Sequence, residues 1–332
     1  MYFSIIIPVY NRPDEINELL DSLSRSTYQD DFEVVIVEDG SNLPSSDVIA
    51  KYQAKLNITY FAKPNSGPGD SRNFGMRKAA GDYFIIFDSD CIIPEQYLCT
   101  VSDYLISGYC DCFGGPDKAL PAFSDVQKAI SFAMTSFLTT GGIRGGSEVA
   151  GKFQPRSFNM GLSRAAFESS GGFGNIHPGE DPDLSLRLWK LGFKTLLFPN
   201  AYVYHKRRID WEKFFVQVNK FGKARPILNK WHPGSGKVTF FFPTAFLLGS
   251  VIAMVLLLIG VWQPIACYGI YFSAAFMLAS IEYKSIKIGL FALIAVAVQF
   301  YGYGLGFLKS FFYISILNRD PKVVFPELFF KS

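Results

Sequence analysis

YFIIFDSD, residues 83–90, is an apolar run that stops abruptly at two carboxylates, Asp88 and Asp90, with one small residue between them. Six residues rich in β-formers predict a buried central strand. The acids then fall where its carboxyl end opens into a crevice, the place where open α/β sheets bind ligands. Residues i and i+2 of a continuing strand face the same way. Asp88 and Asp90 would therefore converge on one hard divalent cation, which prefers oxygen ligands and leaves positions open for phosphate oxygens. A solvated turn would carry the same letters, so the surrounding chain has to decide.

Upstream, the order is strand, helix, strand. FSIIIPV (3–9) reads as an apolar strand, the loop Tyr10-Asn11-Arg12-Pro13 leads into a helix with Ile16, Leu19, Leu20 and Leu23 at helical spacing, and Glu33 to Val37 is the next buried strand, ending in Glu38-Asp39-Gly40-Ser41. A weaker strand at Ile58 to Ala62 follows, then the turn-rich Asn65-Ser66-Gly67-Pro68-Gly69 and a helix bearing Arg72, Asn73 and Gly75. This alternation predicts an α/β fold with a parallel, doubly wound sheet. Arg72 lies on the helix just before the two acids, where a guanidinium can hold a carboxylate or a diphosphate by two hydrogen bonds.

Of 332 residues, the part after about Lys237 is strongly apolar, with three uncharged runs at Phe240 to Val261, Ile265 to Ile281 and Ile288 to Leu308. Each is near the roughly 20 residues that cross a bilayer as helix, and none has the polar face of an outer helix in a soluble core. The sequence predicts a multi-pass protein of the cell (cytoplasmic) membrane. Met1 leads straight into a strand rather than a cleavable leader, which predicts a cytosolic amino-terminal domain. Five cysteines fit a reducing compartment, and Cys110 and Cys112, with no second pair at zinc spacing, read as core thiols. Net charge is only +3, yet His205 to Lys237 holds nine Lys or Arg against Asp210 and Glu212, a local excess of +7 beside the first apolar run. That suits anionic lipid at the cytoplasmic face, and the segment belongs to no nucleic-acid module. Trp211, Phe214, Phe215, Val218 and Phe221 predict an amphipathic helix, either in the membrane interface or packed on protein. Arg225 is a candidate for the phosphates of a lipid-linked acceptor. The resulting division is 1–209, 210–237 and 238–332.

SIIIPVYN (4–11), VEDGS (37–41), GPGDSRNFG (67–75) and FDSD (87–90), in that order, resemble the family-2 glycosyltransferases, inverting enzymes of GT-A fold. SFNMGLSRAAFESSGGF (157–173) resembles that family's second-half strand and helix, and GEDPDL (179–184) its acidic catalytic motif; Glu38 and Ser71 depart from the usual Asp and Ala. The resemblance covers about residues 3 to 210. It implies a nucleotide-diphosphate-sugar donor, a UDP-sugar by preference, with Asp39 reading the base, Pro8 shaping the nucleoside wall and Arg72 bracing that corner. It also implies a divalent cofactor, Mn2+ or Mg2+, on Asp88 and Asp90 with His205 as a third ligand. Asp181 is implied as the base that deprotonates the acceptor, with Glu180 as the fallback. From the residues themselves, Asp181 before Pro182 also reads as a helix N-cap, which would lower its pKa. Asn159 falls near the family's acceptor pocket, and Thr139 to Gly151 reads as a mobile loop.

The leading expectation is single-sugar transfer to a polyprenyl-linked or other membrane-proximal acceptor. A processive synthase is the second reading, although its Gln-x-x-Arg-Trp signature has only a distorted echo at Gln217-Val218-Asn219-Lys220-Phe221. A non-catalytic membrane scaffold is the third. A possible fourth membrane element at Phe311 to Leu317 would bring Lys309, Arg319 and Lys322 to the positive side.

Overall fold

Two β-branched or aromatic runs with no charge in them, FSIIIPV and YFIIF, lie side by side as neighbouring strands of one sheet. The computed structural model describes residues 1–118, 123–141, 152–206 and 210–330, which fall into two compact units. The first unit holds residues up to Lys118, those up to Lys206 that follow the second gap, and Phe329 onward. Its strands are β1 (Phe3–Val9), β2 (Phe32–Asp39), β3 (Ile58–Lys63), β4 (Tyr83–Phe87), β5 (Cys91–Ile92), β6 (Cys112–Gly114), β7 (Asp117–Lys118), β8 (Asn159–Ser163), β9 (Thr195–Leu197) and β10 (Val203–His205). The main sheet runs β3-β2-β1-β4-β8-β6-β9, and β5-β10-β7 forms a small second sheet.

β1 to β4 are parallel, as the alternation of strands and helices predicts, whereas β8 runs antiparallel to both β4 and β6. Both faces of the sheet are covered: Ile5, Ile7 and Ile85 pack with the helix Pro13–Leu23, while Ile6, Val35 and Ile86 pack under Met76, Leu184 and Leu188. Period-two alternation of wholly apolar strands is what a doubly covered sheet requires.

The sheet order reverses direction between β1 and β4, and there the strands part. β1 pairs with β2 as far as Val9, but with β4 only as far as Ile6 opposite Ile86. Pro8, which has no N–H to give, therefore sits past the end of that ladder at no cost in hydrogen bonds. The gap is the topological switch point where such sheets bind ligands.

One expectation fails at this point. β4 ends at Phe87 and residues 88–90 form a turn closed by Cys91 N–H donating to Asp88 O at 3.1 Å. Asp88 and Asp90 are thus not i and i+2 of a continuing strand, and strand geometry does not aim them together. Asn159 spends its side chain on the protein itself. It is fully buried at the start of β8, accepting from Tyr97 OH and donating to Ala201 O at 2.8 Å. Cys110 and Cys112 are buried free thiols.

The second unit holds residues 123–141 and 210–328 among those described. The helix Asp125–Thr135, opened by a reciprocal cap between Ser124 and Gln127, belongs here with the apolar helices, although a boundary at residue 209 would group it with the sheet. Among the described residues, three helices are long and apolar enough to cross a membrane: Val238–Leu258, Gln263–Glu282 and Ile286–Ile316. Phe311–Ile316 is no separate element, because it continues the third of these as a π-helical turn. The helix Trp211–Trp231, capped by Asp210, lays Val218 and Gly222 against that third helix, and Asn219 Nδ2 donates to Gly302 O at 3.0 Å. The residues that echo the processive signature are thereby engaged in helix packing. Arg225 lies over the Phe240 ring, 4.1 Å from its centroid. The Thr139 to Gly151 loop lies, from residue 142 on, outside the described residues.

Candidate active site

Asp39 ends β2 at the switch point and is buried. Its Oδ1 accepts from Ser66 N–H at 2.9 Å and from Lys63 Nζ, and its Oδ2 accepts from Gly67 N–H at 2.9 Å and Asn65 Nδ2 at 3.3 Å. One carboxylate thus shapes the whole 65–67 loop. Pro8, the other residue expected at the nucleoside, is buried in β1 opposite Val37.

Arg72 projects from the helix Pro68–Lys78 and is 3% exposed. Its Nη2 donates to Asp88 Oδ1 at 2.7 Å and its Nη1 to Glu180 Oε1 at 3.4 Å, while the guanidinium lies 5.2 Å from the Phe173 ring centroid. The next residue, Asn73, fixes Phe173 in place: its Nδ2 donates to Phe173 O at 2.9 Å and its Oδ1 accepts from Phe173 N–H at 2.8 Å. Glu180 also meets His177 Nδ1 at 2.8 Å and accepts from Gly179 N–H at 2.9 Å. The site is therefore a continuous charged line, Asp88–Arg72–Glu180–His177, joining the two halves of the sheet.

Burial alone would raise the Glu180 pKa, but His177, then Arg72 and its own backbone N–H, outweigh it and bring it down to about 2. Asp181 goes the other way. Burial, then the negative charge of Glu180, raise it to about 6 against the opposing pull of Arg72, Arg156 and the Ser157 N–H. The expected N-cap is absent: Gly179 is the cap, with φ 134°, Glu180 and Asp181 occupy the first helical turn, and no side chain caps the helix Glu180–Lys190. Freed from capping, Asp181 leaves Oδ1 buried without a hydrogen-bond donor among the described residues. An unsatisfied buried carboxylate oxygen is costly and marks a site where another group belongs. The lowered pKa expected from a helix terminus is corrected for the same reason: burial beside Glu180 dominates.

Asp90 takes different partners from Asp88. Its Oδ2 pairs with Arg12, and its Oδ1 lies 3.1 Å from His205 Nε2. His205 arrives there because β10 pairs antiparallel with β5, setting His205 opposite Cys91, and its ring stacks on Phe158 at 4.7 Å. Burial would raise the Asp90 pKa, but His205 and Arg12 hold it well below the usual carboxylate range. Among the described residues, Asp90, Cys91 and His205 are the one group of three metal-capable side chains with ligand atoms within 4.8 Å of one another. Burial pushes the Cys91 thiol well up, so it stays protonated, and its Sγ lies 3.4 Å from Phe158 O. A carboxylate and an imidazole remain. Their 3.1 Å separation fits adjacent ligands of one octahedral ion, about 3 Å apart for bonds of about 2.1 Å. Asp88 lies outside that group, its Oδ1 accepting from Arg72.

Sequence reasoning missed Arg12, His177 and Arg156. Arg12 was legible as a basic residue following β1 into an acidic crevice, and His177 as lying three residues before Glu180. Arg156 gave no local signal, because only antiparallel β8 carries its segment back to the end of β4.

Residues 4–143 match the family model described as Glycosyl transferase family 2, and residues 157–305 that described as Glycosyl transferase family group 2. Between them they span most of the chain, which belongs to glycosyltransferase family 2 and carries its GT-A-like α/β sheet. The chain is similar to poly(ribitol-phosphate) β-N-acetylglucosaminyltransferase TarS of Staphylococcus aureus, 37% identical over 101 residues, which are 30% of this chain and 18% of the relative. It is similar too to poly(ribitol-phosphate) β-glucosyltransferase of Bacillus spizizenii, 38% identical over 102 residues, or 30% and 16%. The match thus spans less than a fifth of either relative. Among solved structures, mannosyltransferase PcManGT from Pyrobaculum calidifontis, in complex with GDP-Man and Mn2+, superposes with a TM-score of 0.64 at 16% identity, over 90% of this chain and 86% of that one. S. aureus TarS 1–349 in complex with UDP superposes at 0.51 and 19%, over 96% and 92%.

Proposed function

We propose that this chain is an inverting glycosyltransferase that moves one sugar from a nucleoside-diphosphate sugar to a hydroxyl of a membrane-proximal, lipid-linked acceptor. The observation that carries it is the buried Asp181 Oδ1, which has no hydrogen-bond partner among the described residues, beside a Glu180 held by Arg72 and His177; burial and that neighbouring charge raise Asp181, while His177 and Arg72 lower Glu180. Paired carboxyls with separated pKa values divide roles between a fixed anion and a proton acceptor. Asp181 takes the proton of the acceptor hydroxyl as that oxygen attacks the anomeric carbon from the face opposite the diphosphate. Glu180, held ionised by Arg72 and His177, keeps the line rigid, and its charge raises the proton affinity of the ionised Asp181 carboxylate that accepts the proton.

Asp90 and His205 are the residues that would hold a divalent cation, with Asp88 as a further donor. Such an ion supplies electrophilic stabilisation of the departing diphosphate. Arg12 and Arg72 add fixed positive charge to the same crevice. The 65–67 loop, shaped by Asp39, is the place for the base. The complexes of the similar proteins, one with GDP-Man and Mn2+ and one with UDP, support a nucleotide-sugar donor. The three apolar helices support a membrane-bound acceptor.

The test is calorimetric titration of the purified chain with a panel of UDP- and GDP-sugars, with and without Mn2+. Manganese-dependent binding of one donor, followed by transfer of a single sugar of inverted anomeric configuration to a lipid-phosphate acceptor, is the expected result. Failure of every donor to bind would overturn the proposal.

A further inference from the structure

Phe330 follows the apolar helices in sequence, yet it packs inside the first unit, at the loop that Asp39 shapes. Its backbone is clipped by one side chain: Phe330 N–H donates to Asn175 Oδ1 at 3.1 Å, and Asn175 Nδ2 donates to Phe330 O at 3.0 Å. Its ring lies so close over Gly67 that a Cβ there would stand 2.2 Å from the ring edge. Gly67 also has φ +94°, a region that L side chains rarely adopt. The same ring lies 5.9 Å from the His177 ring, tilted by 46°.

These contacts join two loops with separate duties. Gly67 gives its N–H to Asp39 and begins the helix that carries Arg72. His177 holds Glu180, the neighbour of Asp181. A polar clip fixes the backbone while an apolar ring spans the gap, so the ring can press both loops without a charge that would disturb the carboxylates. Neither Asn175 nor Phe330 belongs to a motif of the nucleotide or catalytic loops, and nothing else in the first unit's sequence would bring them together.

We propose that the segment around Phe330 is a strap that holds the 65–67 loop against the 175–180 loop, and so sets the affinity for the donor nucleotide. The inference rests on the reading of the 65–67 loop as the nucleotide-base site. Phe330 is a positioning residue: it acts through Gly67 and His177 and touches no reacting atom. Loosening it should weaken nucleotide binding more than it slows the chemical step, because Arg72 still holds Glu180 when His177 shifts.

The experiment compares wild-type, Phe330→Ala, Phe330→Tyr and Asn175→Ala chains by two measurements: calorimetry with UDP and GDP, each with Mn2+, and hydrogen exchange at the amides of Ser66 and Gly67. Phe330→Ala and Asn175→Ala should bind nucleotide about tenfold more weakly, the scale of one lost aromatic contact. They should exchange faster at both amides and keep kcat within about twofold, a KM effect without a kcat effect. Phe330→Tyr should restore both readouts. Unchanged exchange in Phe330→Ala overturns the strap, whatever the nucleotide does. Tighter binding in Phe330→Ala overturns it too, since Phe330 would then stand where the base belongs. Faster exchange in the variants with no binding of UDP or GDP by wild type overturns the donor reading, and with it the strap's role in affinity, while the loop contact itself stands.

Discussion

Asp181 and Glu180 are chemically near-identical neighbours with opposite electrostatics, and substitution should separate them. Asp181→Asn removes the proposed base and should lower turnover by about 100-fold or more, with donor affinity kept. It should not destabilise the fold, because the side chain caps nothing. The sign follows from the shift. The folded pKa rises from 3.8 to about 6. Ionised Asp181 therefore costs stability, on the order of 3 kcal/mol, in full above pH 6, in part between, and not at all below about 4. Thermal midpoints of Asp181→Asn against wild type should show a gain above pH 6 that vanishes near pH 4, and kcat/KM of wild type should fall on the acid side with an apparent pKa near 6. Glu180→Gln should instead lower the midpoint at every pH above about 4, since it strips charge from a buried partner of Arg72. Equal thermal behaviour of the two variants would refute the division of roles. Asp90→Ala should abolish manganese-dependent nucleotide binding, and retention of wild-type affinity with Mn2+ in calorimetry would remove the metal role from that carboxylate.

At the scale of elements, the helix Ile286–Ser310 is held by close backbone approach. A Cβ on Gly306 would lie 2.2 Å from Asn219 O, and one on Gly302 would lie 2.6 Å from Val218 Cγ2. Glycines four apart let the helix Trp211–Trp231 settle backbone to backbone, which leaves polar side chains such as Asn219 and Ser310 to bond to main-chain oxygens. Gly306→Val should cost about 1–3 kcal/mol by overpacking. Thermal unfolding in detergent should show a clear drop for it and almost none for Gly269→Ala, where a Cβ would meet nothing within 4 Å. Equal midpoints would mean that the two helices do not depend on this contact.

For the whole molecule, the seat of Phe330 constrains how the chain meets a membrane. Described residues 152–206 and Phe329 onward belong to one compact unit with the first 118 residues, so in a membrane-spanning chain they would share one side. Were the chain to span a bilayer, it would cross an even number of times between them, so two of the three helices that are long and apolar enough among the described residues would cross. The most apolar window of Ile286–Ile316 is 44% buried within the protein, against 22% for Val238–Leu258 and 11% for Gln263–Glu282. We expect the latter two to form the membrane hairpin. Single cysteines placed at Val323 and at Leu43, in a chain with Cys267→Ser, should be labelled by an impermeant thiol reagent from the same face of a sealed vesicle. Labelling from opposite faces would refute the even count. An even count would put Lys309, Arg319 and Lys322 on the positive side, through one crossing fewer instead of an added element at Phe311 to Leu317.

Local pattern determined what depends on local rules. Uninterrupted β-formers in FSIIIPV and YFIIF, acids at strand ends, helical spacing of Ile16, Leu19 and Leu20, and uncharged runs of about 20 residues are consequences of period and hydrophobicity, and the sheet, its helices and the apolar helices follow them. Tertiary structure decided what depends on partners far apart in the chain. Asp181 is a base candidate rather than a cap because a buried Glu180 sits beside it and Gly179 takes the cap. Asp90 meets His205 because β10 folds back on β5. Asp88 turns to Arg72 because β4 ends one residue too soon for the two acids to align. A pKa is set by burial and by every charge within a few ångströms, and besides nearby His177 those neighbours come from residues 12, 72, 156 and 205, distances that no window along the sequence can contain.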